Sequence, residues 1–225
     1  MAIRLAYIHT VTSLVGVFKS LTEELIPEAD VFNIIDESLL QNTIRANQLS
    51  NTTRRRLASY LISAEEAGAK AILVTCSSVG PAVDGGRSLV NVPVFRVDQP
   101  MADLAVKSGI RIGVAATLQT TLDPTSDLIL RLAKEHHKDV QVTSRLCEGA
   151  FEAVIQGDTA KHDHLVAQGL QELASQSDVI VLAQASMARV VPMLSEEDRK
   201  VPILSSPRLA VEHLAKFLAG DGEKG

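Results

Sequence analysis

Two residues of this 225-residue chain carry thiols, Cys76 and Cys147, and a thiol can move a proton or attack carbon near neutral pH. Cys76 closes the apolar run Ala71–Thr75 and is followed by Ser77 and Ser78. A thiol at a strand end beside helix amides is expected to have its pKa lowered from about 8.5, giving a base or nucleophile. The alternative is a small buried hydrophobe. Val74, two places before the thiol, is too large for the strained elbow of a cysteine hydrolase. Cys147 lies just beyond a sixth strand, as a second proton carrier or as helix packing. His9 ends the first strand, as a proton carrier in the right pKa range or as a satisfied structural histidine. The pairs His136-His137 and His162-Asp163-His164 lack zinc-helix spacing and read as solvated surface, so no metal is expected.

The remaining chemistry is hydroxyl-rich. Apolar runs end in His9, Thr10, Thr12, Ser13, Asp36, Ser77 and Ser78 in the first half. In the second half they end in Thr117, Thr120, Thr121, Arg145, Gln184, Ala185 and Ser186. Hydroxyls and free amides at strand-to-helix turns suit a carboxylate, and each hydroxyl also reads as a helix N-cap. Arg145 is a candidate carboxylate clamp. No GxxxxGK[ST] or GxGxxG is present, so neither a phosphate loop nor a dinucleotide turn is supported.

The elements that must hold these residues are short Val- and Ile-rich runs alternating with helical patterns, the mark of βαβ units and parallel sheets. The strands read as Ile3–His9, Asp30–Ile35, Ala71–Thr75, Val92–Val97, Ile110–Ala116, Asp139–Ser144, Asp178–Ala183 and Val201–Leu204. Helical spacing is clearest over Arg54–Ala69, Thr125–His136, Ala160–Ala174 and Pro207–Leu218. The loops Asp36–Asn51 and Val79–Asn91 have no legible position. The tail from Gly220 to Gly225 reads as a frayed end.

The second half repeats the first. Ile3–Thr10 matches Ile110–Thr117, Asp30-Val31 matches Asp139-Val140, Val74–Ser78 matches Leu182–Ser186, and Val92–Phe95 matches Val201–Leu204, at offsets of 107, 109, 108 and 109 residues. The fold class is therefore α/β with two pseudo-symmetric halves, and equivalent strand ends are expected to face a shared cleft.

Composition removes other classes. With 22 basic against 27 acidic residues and 3% aromatics, the chain lacks the basic grooves and stacking rings of a nucleic-acid surface. No apolar run approaches the roughly 20 residues of a membrane helix, and the N-terminus does not read as a signal peptide. Two cysteines 71 positions apart form no disulfide framework and fit a cytoplasmic protein with free thiols.

Taken together, Thr75-Cys76-Ser77-Ser78, the strand-turn Gly113-Val114-Ala115-Ala116-Thr117-x-x-Thr120, and Leu182-Ala183-Gln184-Ala185-Ser186 resemble the aspartate/glutamate/hydantoin racemase superfamily over nearly the whole chain. The resemblance implies a cofactor-independent isomerase of two flavodoxin-like domains, each with a mainly four-stranded parallel sheet. These would be residues 1–97 with 207–225, and 98–206, the last helix packing on the first domain and the substrate held in the cleft between them. It also implies a homodimer or higher homo-oligomer and a small carboxylate substrate. In such racemases two cysteines flank the substrate, one removing a proton and the other returning one from the opposite face. Cys76 matches the first, and Gln184 stands at the second, where an amide cannot exchange a proton. The backbone of Ser77, Ser78, Ala185 and Ser186 and the hydroxyls of Thr10, Thr117 and Thr120 are implied to hold the carboxylate, with Gln184 as a hydrogen-bonding wall. The expected activity is thiol-mediated proton transfer next to a carboxylate. The alternatives are a one-thiol decarboxylase, a cis-trans isomerase of small diacids, a lyase with a covalent cysteine adduct, and a catalytically silent small-acid binding protein.

Overall fold

The computed structural model describes residues 3–220, and the tail from 221 to 225 lies outside the described residues. The chain divides into two compact units, Met1–Gln99 with Pro207–Gly225, and Pro100–Ser206. The first unit holds β1 (Ile3–His9), α1 (Leu14–Leu25), β2 (Ala29–Ile35), α2 (Glu37–Ala46), α3 (Asn51–Glu66), β3 (Ala71–Val74), α4 (Gly80–Gly86) and β4 (Val94–Arg96). The second holds α5 (Gln99–Ser108), β5 (Arg111–Ala116), α6 (Gln119–Glu135), β6 (Gln141–Leu146), α7 (Ala150–Ile155), α8 (Thr159–Ala174), β7 (Val179–Leu182) and β8 (Ile203–Ser205). The last helix, α9 (Ser206–Leu218), returns to the first unit.

Each unit is built on a four-stranded parallel sheet, ordered β2-β1-β3-β4 in one and β6-β5-β7-β8 in the other. The central strands are continuous apolar runs because both of their faces are covered. In the first unit, even-numbered side chains such as Ala6, Ile8, Ile72, Val74 and Val94 join a core with Leu39, Leu57, Leu61 and Val83 of α2, α3 and α4. Odd-numbered ones, Leu5, Tyr7, Leu73 and Phe95, pack with Phe18 of α1 and with Ala210, Val211 and Leu214 of α9. In the second unit Ala115, Ile180 and Leu182 pack with Val166, Leu170 and Leu173 of α8, and α6 lies along β5 and β6.

The registers reproduce most of the internal repeat. Ile8 pairs with Val74 as Ala115 pairs with Leu182, and Leu73 pairs with Phe95 as Val181 pairs with Leu204. These keep the offsets of 107, 108 and 109 read in the sequence. The sixth strand differs, running two residues later than its apolar pattern suggested. Leu5 pairs with Val31, whereas Ile112 pairs with Val142, so the Asp30-Val31 match to Asp139-Val140 is out of register by two. An edge strand spelled Gln-Val-Thr-Ser-Arg-Leu has no continuous apolar run to fix its bounds.

The two stretches without a legible position hold helices. Asp36 caps α2, its carboxylate accepting from the Ser38 N–H at 3.0 Å, and Asn47 closes the helix with φ 48°. Pro81 in the first turn of α4 suits a helix start, where its missing N–H has no partner to lose. α6 starts six residues before the expected Thr125 and runs through Pro124. Burial of Leu122, Leu128, Ile129 and Leu132 outweighs the one backbone bond the proline removes.

Candidate active site

Cys76 sits at the carboxyl end of a central strand. The Thr75 N–H donates to the Ile8 carbonyl at 3.0 Å, completing the ladder. Cys76 then stays extended at φ −132°, ψ 117° and caps the 3-10 turn Ser77–Val79 that leads into α4. Cys76 is a free cysteine and the residue as a whole is half-buried. Burial pushes the thiol pKa up, while the Thr10 hydroxyl, the backbone N–H groups of Val79 and Ser78, and the Ser78 hydroxyl pull it down. The net direction is upward, which corrects the expectation of a lowered value: desolvation outweighs four hydrogen-bonding groups. The resting sulfur is therefore a protonated thiol at neutral pH, set among donors that hold charge once it forms. The Thr10 hydroxyl is buried and meets no oxygen or nitrogen partner.

His9 has no exposed surface and both of its ring nitrogens are occupied. Nε2 lies 2.9 Å from Asn33 Oδ1 and Nδ1 lies 2.8 Å from the Thr75 hydroxyl. The tautomer that satisfies both has Nε2–H donating to Asn33 and Nδ1 accepting from Thr75. His9 thus braces the residue before Cys76 and offers no ring nitrogen to a substrate. Burial lowers its pKa, opposed by the bond to Asn33. Above 6.5 the folded and unfolded chains both hold a neutral imidazole, so nothing is lost. As pH falls below 6.5 the unfolded chain takes up a proton that the folded one resists, and stability declines down to the folded-state pKa. His9→Gln is expected to flatten this slope, read as the fall of the urea midpoint between about pH 7.5 and about pH 5.5. Equal slopes in both proteins would remove His9 from the acid response.

In the second unit Gln184 occupies the equivalent place. The Ala183 N–H donates to the Ala115 carbonyl at 2.9 Å, and Gln184 is extended at φ −130°, ψ 133° before the 3-10 segment Ala185–Met193. Its Oε1 accepts from the Thr117 N–H at 2.6 Å and from the Thr117 hydroxyl at 3.0 Å. A backbone N–H only donates, so the oxygen faces Thr117 and the amino group is left to the other side. Thr120 Oγ1 is buried without a hydrogen-bond partner among the described residues. Ala185 is half-buried and Ser186 exposed at the start of the segment, while Ser77 and Ser78 are buried in theirs.

Several other candidates lie elsewhere. Arg145 is the penultimate residue of β6, and its exposed guanidinium binds Glu172 of α8 at 2.9 Å. Cys147 is buried against α8, with its N–H on the Ala116 carbonyl, and burial pushes its thiol up to about 11. In register it is the counterpart of Asp36, whose N–H donates to His9. Asp36 is consumed as the α2 cap and as a partner of Arg56 and Tyr60. Thr12 donates to Glu37, Ser13 precedes α1 without a side-chain cap bond, and Thr121 is buried in the first turn of α6. The expectation of solvated histidines fails at His162, which is 1% exposed and lies 2.8 Å from Asp163 Oδ1; His136 pairs with Asp103. Sequence reasoning missed Asn33, Thr75 as a histidine partner, and Arg96. The last carried a signal: a charge at an inward position of an apolar strand demands a buried partner.

The arrangement is one thiol and one amide at matched strand ends, each followed by a turn that presents N–H groups, and a family model matches the chain over residues 8–214. The chain belongs to the Asp/Glu/Hydantoin racemase family. As a member it is an enzyme of the isomerase type. Solved structures agree in fold. An allantoin racemase from Klebsiella pneumoniae matches with a TM-score of 0.72 at 17% identity, covering 99% of this chain and 90% of that one. A glutamate racemase from Bacillus anthracis gives 0.71 at 19%, covering 98% and 83%, and an aspartate racemase from Picrophilus torridus gives 0.64 at 13%, covering 96% and 94%. No curated protein matches the chain. Among the described residues no helix is long and apolar enough to cross a membrane.

Proposed function

We propose that this racemase-family enzyme moves a proton at the carbon next to the carboxylate of a small acid, with Cys76 as the group that carries it and no cofactor. The observation that carries the reading is the setting of Cys76 at the N-cap of a turn, where the Ser78 and Val79 N–H groups favour the charged form of the thiol. In the forward step the thiolate takes the proton, and the C–H electron pair passes into the carboxylate to form an enediolate. The hydroxyls and amides at Thr10, Ser77 and Ser78, which stand with the sulfur in the first unit, hold the charge as it develops on oxygen. Water on the opposite face then gives a proton to carbon, and the hydroxide left takes the proton from the sulfur, so the carbon is inverted; return from the sulfur itself would restore the starting acid and show only as exchange. The Thr120 hydroxyl, buried without a hydrogen-bond partner among the described residues, favours a polar ligand, because a buried donor left alone is costly. A cytoplasmic homo-oligomer goes with this reading.

Because the thiol rests protonated, proton removal is expected to speed up as pH rises toward the thiol pKa, and proton donation to need no such rise. That asymmetry favours one second reading, in which Cys76 protonates a planar enediolate left by loss of carbon dioxide. Gln184→Cys tests the matched positions in either case. Supplying a second thiol is expected to create or raise racemisation of the acids that wild type turns over, read by chiral chromatography. A folded variant with no gain on any of them contradicts the match of Gln184 to the second cysteine of the family.

A further inference from the structure

The strongest feature outside the strand-end residues is a buried cation. Arg96 ends β4 with its side chain 2% exposed, and Asp98 beside it is 1% exposed. Arg96 Nε and Nη2 donate to the two Asp98 oxygens at 2.9 and 2.8 Å, and Nη1 donates to Asp84 Oδ2 of α4 at 2.6 Å. Burial alone would lower the Arg96 pKa, and the two carboxylates reverse this and hold it charged.

Its location ties it to Cys76. Val74 pairs with Arg96 and the Val97 N–H donates to the Val74 carbonyl at 3.0 Å, so Arg96 lies beside the last pair of the β3 ladder. Side chains alternate along a strand, which puts Arg96 and Cys76 on one face of the sheet, the face covered by α4. The guanidinium rests against Gly80, the first residue of α4. A Cβ there would come within 2.7 Å of Nε and nearer still to Cζ and Nη2. Gly80 and Asp84 are one helical turn apart, so Arg96 grips the start of α4 at both places. Only the turn Ser77–Val79 separates Gly80 from Cys76.

We propose that Arg96 is a positioning residue for Cys76: held by Asp98 and Asp84 and seated on Gly80, it fixes the turn that presents the Ser78 and Val79 N–H groups to the sulfur. A buried ion pair stabilises a fold little more than apolar side chains of the same size, so rigidity at the turn is the property it adds. The inference rests on Cys76 as the reacting group, but its test needs no substrate. The double variant Arg96→Met with Asp98→Leu removes both charges together and is the version expected to fold. Arg96→Lys keeps the charge and loses the flat fork. Gly80→Ala pushes the guanidinium off the turn from the other side.

The readout is the rate of Cys76 alkylation by iodoacetamide across pH, followed by peptide mass so that Cys147 is scored separately. The double variant and Gly80→Ala are each expected to alkylate Cys76 about tenfold more slowly than wild type at a fixed pH below the thiol pKa, the effect of a rise of about one unit. Arg96→Lys is expected to fall between them and wild type. A folded double variant or Gly80→Ala whose profile superposes on wild type overturns the proposal and leaves Arg96 a structural ion pair. If the profiles shift while wild type turns over no acid, the positioning role stands and the proposed reaction fails.

Discussion

Cys76→Ala is expected to keep its fold and lose turnover by about a hundredfold to ten-thousandfold, the range that one general acid–base group supplies. The residue as a whole is half-buried and packs at the margin of the core formed by Ile8, Val74 and Val79, so removal of its thiol leaves at most a small void. No other residue of the first unit's strand ends can substitute. His9 spends both nitrogens on Asn33 and Thr75, and Asp36 spends its carboxylate on Ser38, Arg56 and Tyr60. Cys147 is buried with its thiol pushed to about 11. Steady-state rates on the best acid, beside circular dichroism, check the prediction, and a folded variant that keeps its turnover removes Cys76 from the chemistry.

Asp98→Ala is expected to cost the first unit about 3–5 kcal/mol of stability, the penalty for stranding a buried charge. Arg96 would keep only Asp84, whose side chain is 30% exposed, and would lose both bonds that cover Nε and Nη2. The double replacement of Arg96 by Met and Asp98 by Leu is expected to cost much less, since no charge is left unpaired. Urea denaturation separates the two. A single variant within about 1 kcal/mol of wild type would show that solvent reaches Arg96 and that the pair is not truly desolvated.

The architecture was legible because parallel strands buried on both faces read as apolar runs, and because the chain states its pattern twice. The match of Cys76 to Gln184 was legible for the same reason: the offset of 108 is the register that places Val74 and Leu182 beside their central strands. What was not legible depended on edges and on burial. β6 slid by two residues because nothing apolar pins it, and this put Arg145 inside the strand, one residue before its end, where it binds Glu172. α2 was signalled by Asp36 and Ser38 at capping distance, although its polar surface hides the inward stripe of Leu39 and Thr43. The direction of the Cys76 pKa is a balance between desolvation and four donors, and no spacing in the sequence weighs one against the other.

The most direct measurement is deuterium uptake from solvent at the carbon next to the carboxylate, followed by NMR over a panel of amino acids, hydantoins, malonates and unsaturated diacids, with Cys76→Ala alongside. Uptake by wild type into at least one acid, absent from the variant, is the predicted result. Exchange that survives in the variant, or turnover of an acid with no label entering that carbon, contradicts proton transfer by Cys76.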